Sequence, residues 1–151
     1  MPPSTISFRL VPQVQHSSGR AVGILEGDSE LCADMLLNLP NKEWKYIQYS
    51  MDRWTSGQNG PSTRFHSFEG TNYFVFKHVA KQHRFYGFLY HPIETNRRSL
   101  LCVLTTYARK KEDATSPADL KRVQAWMDAP ATPIAIKYFY SEETANKDKK
   151  Q

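Results

Sequence analysis

Hydrophobic and polar residues alternate in several short segments of the chain, and this alternation predicts strands. Residues 6–10 alternate strictly, and Val22 with Ile24 indicates a second short strand. After residue 64 the segments RFHSF, NYFVFKHV, RFYGFLYHP and SLLCVLTTYARK are rich in the Phe, Tyr and Val that fill a pleated surface. Their short connections favour antiparallel pairing. In residues 132–143, the alternation of Ile134, Ile136, Tyr138 and Tyr140 with smaller or polar residues predicts one more strand, at an edge.

Apolar residues at spacings of three and four predict three helices. The first is capped by Asp28 or Ser29 and runs to about Leu39, where Pro40 ends it. The second follows Asn41, and its apolar stripe consists of Trp44, Ile47, Met51 and Trp54. The third begins at Ser116-Pro117, and its apolar face consists of Leu120, Val123 and Met127.

These elements together predict an α+β fold. We expect a small, curved antiparallel sheet of four to five strands, packed by two N-terminal helices and one C-terminal helix. Residues 1–142 then form a single domain, and the charged segment 143–151 is a disordered tail. The longest apolar runs are far shorter than the ~20 residues of a membrane span, and the start lacks a signal peptide's apolar segment. A cytoplasmic protein with no membrane partner is therefore predicted.

Positive charge is concentrated in one part of the chain. Residues 64–111 contain nine Lys and Arg against two acids, whereas the rest of the chain contains 11 against 13. Such an asymmetry is typical of a protein that binds a polyanion, although a solubilising surface would give the same pattern.

Aromatic residues occupy both faces of the predicted hairpin 64–92. Three helices are expected to cover one face of the sheet and part of the other, so some rings should be exposed near Lys77 and Arg84. Tyr86 is one such ring. An exposed ring beside a cation suits single-stranded RNA, because a base stacks on the ring with about 1–3 kcal/mol while the cation holds a phosphate.

Motifs for other chemistry are missing from the sequence. There is no GxGxxG, GxxxxGK[ST], HExxH or GxSxG, and the histidines at 16, 66, 78, 83 and 91 lack the Cys or acidic companions of a metal site. Neither a metal nor a small-molecule cofactor is predicted, and Cys32 and Cys102 are expected to be buried thiols. The remaining residues suit RNA cleavage by attack of a 2′-hydroxyl, which requires a base, a proton donor and positive charge on the phosphate.

The run FVFK, then RFYGFL, VLTTYARKK and SPADLKRVQAW resembles the RelE/HigB superfamily of toxin–antitoxin toxins, and phage-derived HigB-like members in particular. The resemblance covers about residues 67–126. It implies an mRNA endonuclease that acts on the ribosome and is neutralised by a cognate antitoxin, a small helix-turn-helix protein. Lys77 and Arg84 match the arginines of the family's LYELR and YRIxY motifs. Tyr107, Arg109 and Lys110 match the aromatic and basic residues of GFxKK.

One departure from the family concerns the proton carrier. Thr105 stands where many members have His, which leaves His66, His78 or His91 as substitutes. The predicted catalytic set is Arg84, Tyr107, Arg109 and His91. The predicted RNA-binding set is Arg64, Lys77, Lys81, Tyr86, Lys110 and Lys111.

Two other functions fit the same residues. The first is a non-catalytic module that binds RNA or a host protein, as a phage or prophage inhibitor would, and the Thr105 departure favours it. The second is a gyrase-targeting toxin of the related ParE branch, which would arrest growth without cleaving RNA.

Overall fold

The computed structural model describes residues 6–15, 19–27, 32–91, 100–110 and 115–149, with side chains as far as residue 142. The strands are β1 (Ser7–Leu10), β2 (Arg20–Glu26), β3 (Phe65–Ser67), β4 (Tyr73–His78), β5 (His83–Tyr90) and β6 (Leu100–Arg109). The helices are α1 (Cys32–Leu37), α2 (Asn41–Thr55), α3 (Pro117–Asp128) and α4 (Ala131–Lys149). A short 3₁₀ turn, Val79–Lys81, lies between β4 and β5. Every strand predicted before residue 111 and all three predicted helices are present, although the predicted caps Asp28 and Ser29 lie outside the described residues.

The six strands form one mixed sheet in the order β1-β2-β6-β5-β4-β3. β2 pairs with β6 in parallel, and every other neighbouring pair is antiparallel. The predicted α+β class is confirmed, but the predicted sheet of four to five antiparallel strands is wrong. Parallel neighbours require a long crossover connection, and β2 and β6 are separated by α1, α2 and three other strands, so their pairing leaves no local signal in the sequence.

Helices cover both faces of the sheet. On the face that we call the α2 face, Ile47 and Met51 of α2 belong to the same buried cluster as Phe76. On the opposite face, which we call the α3 face, Val123 of α3 is clustered with Val75 and with residues of α4. The sheet is therefore the middle of three layers, and its side chains are buried on both sides.

The aromatic residues expected to be exposed beside Lys77 and Arg84 are buried instead. Tyr86 is 1% exposed and Phe88 is 3% exposed, and Lys77 and Arg84 themselves are only 3% and 2% exposed. The prediction of exposure is wrong because it assumed three helices. The fourth helix, α4, contributes to the cover of the α3 face.

α4 occupies the segment 132–143 that was predicted to be an edge strand. Thr132, Ala135 and Ile136 are buried, whereas Ile134 and Tyr138 are 66% and 67% exposed. This is the spacing of a helix and not of a strand, so the strand prediction is wrong. The backbone of α4 continues to Lys149, through most of the segment for which a disordered tail was predicted. Among the described residues, no helix is long and apolar enough to cross a membrane.

A β-bulge in β6 decides which residues face α2. Gly87 of β5 pairs with Leu104, but Tyr86 pairs with Thr106, so Thr105 is an extra residue in the ladder. A Cβ atom on Gly87 would lie 2.0 Å from the carbonyl oxygen of Val103, and only glycine fits there. Beyond the bulge the alternation of β6 is reversed, and Tyr107 is turned to the α2 face.

Candidate functional site

The ends of β4, β5 and β6 meet beneath the first half of α2, on the α2 face of the sheet. His78, His83 and Arg109 are register neighbours across these three strands. Tyr107 shares their face because it lies two residues before Arg109. We use the name rim site for His78, His83, Tyr107 and Arg109 together with Glu43 and Tyr46 of α2.

Three side chains of the rim site form a continuous hydrogen-bonded chain. The Nε2 atom of His83 lies 2.6 Å from Oε1 of Glu43, and Nδ1 of His83 lies 2.8 Å from the hydroxyl oxygen of Tyr107. A carboxylate only accepts, so Nε2 of the imidazole donates to Glu43, and in the neutral ring Nδ1 accepts from the tyrosine hydroxyl. We call Glu43, His83 and Tyr107 the relay. The side chain of His83 is 4% exposed and that of Glu43 is 17% exposed.

The surroundings of the relay shift the pKa values of Glu43 and Tyr107. The hydrogen bond from His83 lowers the pKa of Glu43 below its ordinary value, and the charges of His83 and Lys81 lower it further. Burial raises the pKa of the Tyr107 hydroxyl, although Arg109 acts in the opposite direction. At neutral pH Glu43 is therefore a carboxylate and Tyr107 a protonated phenol. From this phenol a neutral His83 ring can accept a proton at Nδ1.

His78 lies beside the relay without joining its hydrogen bonds. Its ring stacks on Tyr46 with the centroids 4.0 Å apart, and it meets the ring of His83 edge-on at 6.2 Å. The buried Nδ1 atom of His78 has no hydrogen-bond partner among the described residues. Burial, and next the positive charge of His83, lower the pKa of His78. A neutral imidazole is therefore favoured at this position.

Cations surround the open side of the relay. Arg109 at the end of β6 and Lys81 in the 3₁₀ turn are exposed, and Arg64 is partly exposed beside Tyr46. Among the described residues of the rim site, Glu43 is the one acid, and it is hydrogen-bonded to His83. The arrangement thus offers positive charge next to a group that can accept or donate a proton, which is what a reacting phosphate requires.

The other predicted phosphate-binding residues lie on the α3 face. Arg84 donates from Nη1 to the carbonyl oxygen of its neighbour His83, 3.0 Å away, and is buried next to Lys77 in the register. The hydroxyl of Tyr86 lies 3.1 Å from Oγ1 of Thr115. Lys110 forms an ion pair of 2.8 Å with Asp119 of α3. These residues are separated from Tyr107 by the sheet itself.

His91 is remote from both groups. It follows β5 at the end opposite His83, eight residues away, which corresponds to roughly 25 Å of extended chain. Lys111 lies outside the described residues. Of the predicted catalytic set, the structure brings together Tyr107 and Arg109, and it separates them from Arg84 and His91.

Two residues of the relay were missed by the sequence analysis. His83 precedes Arg84 and, by strand parity, lies on the face opposite to it, which is a signal that the sequence contained. Glu43 comes from α2, outside the basic segment 64–111, and its pairing with His83 spans 40 residues. No spacing rule predicts such a pair.

The described residues contain no group of three or more His, Cys, Asp or Glu side chains that could hold a metal ion. Comparison with protein-family models, with curated proteins and with solved structures finds no match to this chain. The resemblance to RelE/HigB toxins is therefore still a prediction from the sequence.

Proposed function

We propose that this chain is an endoribonuclease that cleaves RNA at the rim site by attack of a 2′-hydroxyl on the adjacent phosphate. The observation that supports the proposal most is the relay, in which the hydroxyl of the partly exposed residue Tyr107 is hydrogen-bonded to an imidazole that is itself hydrogen-bonded to a carboxylate. These groups can activate a hydroxyl without a metal ion.

In the proposed reaction, the oxygen of Tyr107 accepts the proton of the 2′-hydroxyl while its own proton moves to Nδ1 of His83. The imidazolium that forms is stabilised by Glu43, 2.6 Å away. The 2′-oxygen forms a bond to phosphorus, the bond from phosphorus to the 5′-oxygen breaks, and the departing oxygen takes a proton from water. The products are a 2′,3′-cyclic phosphate and a 5′-hydroxyl.

Arg109 of the rim site and the neighbouring Lys81, both exposed, account for phosphate binding in this proposal. Arg109 is close enough to Tyr107 to influence its pKa, and Lys81 is close enough to Glu43 to influence its pKa. Their positive charges would stabilise the extra negative charge of the pentacovalent phosphate. Arg84, which the resemblance assigns to phosphate, is buried and would act by holding the backbone of His83 through its 3.0 Å hydrogen bond.

The biological setting that we propose comes from the sequence resemblance. In it the chain is a toxin that cleaves mRNA on the ribosome and is inhibited by a small helix-turn-helix antitoxin. The basic segment 64–111 is compatible with a ribosomal substrate because ribosomal RNA is a polyanion.

The proposal is tested by incubating the protein with a 5′-labelled mRNA, with and without ribosomes, in the presence of a chelator. We expect cleavage that leaves a 2′,3′-cyclic phosphate, and we expect Tyr107→Phe and His83→Gln each to slow it by about 100-fold or more, as for the loss of a general acid–base group. His66→Gln is the matched control, because His66 lies on β3, on the opposite side of the sheet from the relay. Undiminished cleavage by Tyr107→Phe would overturn the assignment.

A non-catalytic RNA-binding module is the second candidate. It is favoured by the burial of Lys77 and Arg84, which the resemblance assigns to phosphate but which are only 3% and 2% exposed. RNA binding that weakens with salt, together with intact RNA in every reaction, would support this candidate against the enzyme.

A further inference from the structure

Four side chains form an array of aromatic rings and guanidinium groups next to the rim site. Tyr46, Tyr49 and Arg53 come from α2, and Arg64 comes from the segment before β3. The guanidinium carbon of Arg64 lies 3.8 Å from the ring centroid of Tyr46 and 5.0 Å from that of Tyr49. The guanidinium carbon of Arg53 lies 5.9 Å from the centroid of Tyr49. We call these four residues the stacking array.

Tyr49 is the exposed member of the array. Tyr49 is 53% exposed, whereas the aromatic residues of β4 and β5 that were predicted to be exposed beside Lys77 and Arg84 are buried. Exposure of a large aromatic ring to water is unfavourable, so this surface is suited to a ligand that covers the ring. The guanidinium groups of Arg53 and Arg64 beside the ring can bind an anion. The combination of an open aromatic surface with flanking cations is what binds a base and its phosphates in single-stranded nucleic acid.

The two arginines are held in position before any ligand binds. Nη1 of Arg64 donates to Oγ of Ser50 at 3.0 Å, and Nη2 of Arg53 donates to the carbonyl oxygen of Asn59 at 2.7 Å. The Nε atom of Arg53 is buried and has no hydrogen-bond partner among the described residues. Groups that are ordered in advance lose less entropy on binding.

The array is continuous with the relay. Glu43, Tyr46 and Tyr49 are spaced by three residues along α2, so the backbone positions of Glu43 and Tyr49 are about 9 Å apart along the helix axis and about 120° apart around it. His78, stacked on Tyr46, fills the space between the array and His83. The array therefore begins at Tyr46, which belongs to the rim site, and ends at the exposed Tyr49.

We propose that the stacking array is a subsite for single-stranded RNA, in which a base stacks on Tyr49 while Arg53 and Arg64 contact the flanking phosphates. This subsite rests on the proposed function, since it names the form of RNA that the rim site receives. It predicts a preference for unpaired RNA, because a base inside a duplex cannot present its face to the ring.

The subsite is tested by fluorescence anisotropy with a labelled, single-stranded 2′-O-methyl RNA, which lacks the attacking hydroxyl and cannot be cleaved by the proposed reaction. We expect Tyr49→Ala to weaken binding by about tenfold, within the range measured for one stacked base, and Tyr49→Phe to retain most of the affinity. The matched control is Tyr138→Ala, because Tyr138 on α4 is 67% exposed on the other side of the molecule. A hairpin duplex of the same composition should compete at least tenfold less well.

Equal binding by Tyr49→Ala and the unchanged protein would overturn the subsite, and so would equal competition by the duplex. Neither result depends on catalysis, because the oligonucleotide is not cleaved. If Tyr49→Ala weakens binding but the unchanged protein cleaves no RNA, the subsite stands and the endonuclease fails. If RNA is cleaved but Tyr49→Ala binds normally, the endonuclease stands and the subsite fails.

Discussion

At the residue scale, His78 couples the rim site to the stability of the fold. Its pKa is lowered by burial and by the neighbouring His83, while Glu43 acts in the opposite direction and Lys81 and Arg64 contribute smaller effects. A histidine with a lowered pKa binds a proton less readily in the folded than in the unfolded state. Its contribution to stability is then present above the ordinary pKa of 6.5 and is lost as the pH falls below that value.

We predict that replacing the imidazole of His78 makes the Tm of the protein less dependent on pH below neutrality. His78→Phe keeps an aromatic ring for Tyr46 to stack on but cannot be protonated. Thermal unfolding between about pH 7.5 and about pH 5.5 should therefore show a smaller loss of Tm in His78→Phe than in the unchanged protein. Glu43 does not produce this difference, because its stabilising effect is lost only when the pH falls through and below 4.5. Parallel profiles for the two proteins would contradict the prediction.

At the element scale, the sequence pattern of α4 fits a strand and a helix equally well. Apolar and aromatic residues are so dense in TPIAIKYFY that positions two apart and positions three or four apart are both apolar. Only the tertiary contacts select between them, and they select the helix, with Ala135 and Ile136 buried and Ile134 exposed. β4 and β5 were predictable as strands because, along each of them, residues on the α2 face and residues on the α3 face alternate without interruption.

Substitution of two isoleucines of α4 distinguishes by experiment between a helix and a strand in this segment. Ile136→Ala should lower the free energy of unfolding by about 2–4 kcal/mol, because Ile136 is 1% exposed. Ile134→Ala should change it by less than about 0.5 kcal/mol, because Ile134 is 66% exposed. A strand would place both residues on one face and give similar losses. Urea unfolding of the two variants makes the comparison.

The candidate site was predictable from the sequence only in part. Tyr107 and Arg109 were identified from their match to the GFxKK motif of the RelE/HigB toxins, and they do lie together near the end of β6. They do not lie with Arg84, because the bulge at Thr105 reverses which residues of β6 face α2. Nothing in the sequence TTYARK predicts this bulge. Glu43 was missed because a contact across 40 residues depends on how α2 lies over the sheet.

At the scale of the whole molecule, the three layers divide the described basic residues of the segment 64–111 into two populations. Those on the α3 face, Lys77, Arg84 and Lys110, are buried or paired. Those at the rim of the α2 face, Lys81 and Arg109, are exposed. The exposed positive charge of this segment therefore lies beside the relay.

For the RNA binding that we propose, this division predicts which cations contribute to the salt dependence. Lys81→Gln and Arg109→Gln should each weaken binding to single-stranded RNA and reduce the slope of log K against log salt by about 0.7, the value for one phosphate contact. Lys121→Gln on α3 and Lys137→Gln on α4 remove exposed charges of the same sign on the other side and should leave the slope unchanged. Equal effects from all four substitutions would indicate non-specific attraction to the whole protein.

The bulge divides β6 into two parts in which the side chains alternate between the faces of the sheet in opposite order. Before Thr105, residues with even numbers such as Cys102 and Leu104 face α2, and after it residues with odd numbers such as Tyr107 do. The pairs Gly87–Leu104 and Tyr86–Thr106 flank the extra residue and would become consecutive if Thr105 were lost. A chain one residue shorter at this point would keep every partner of the rim site. Thr105 is therefore the position in β6 where the chain can change its length without moving its chemistry to the other face of the sheet.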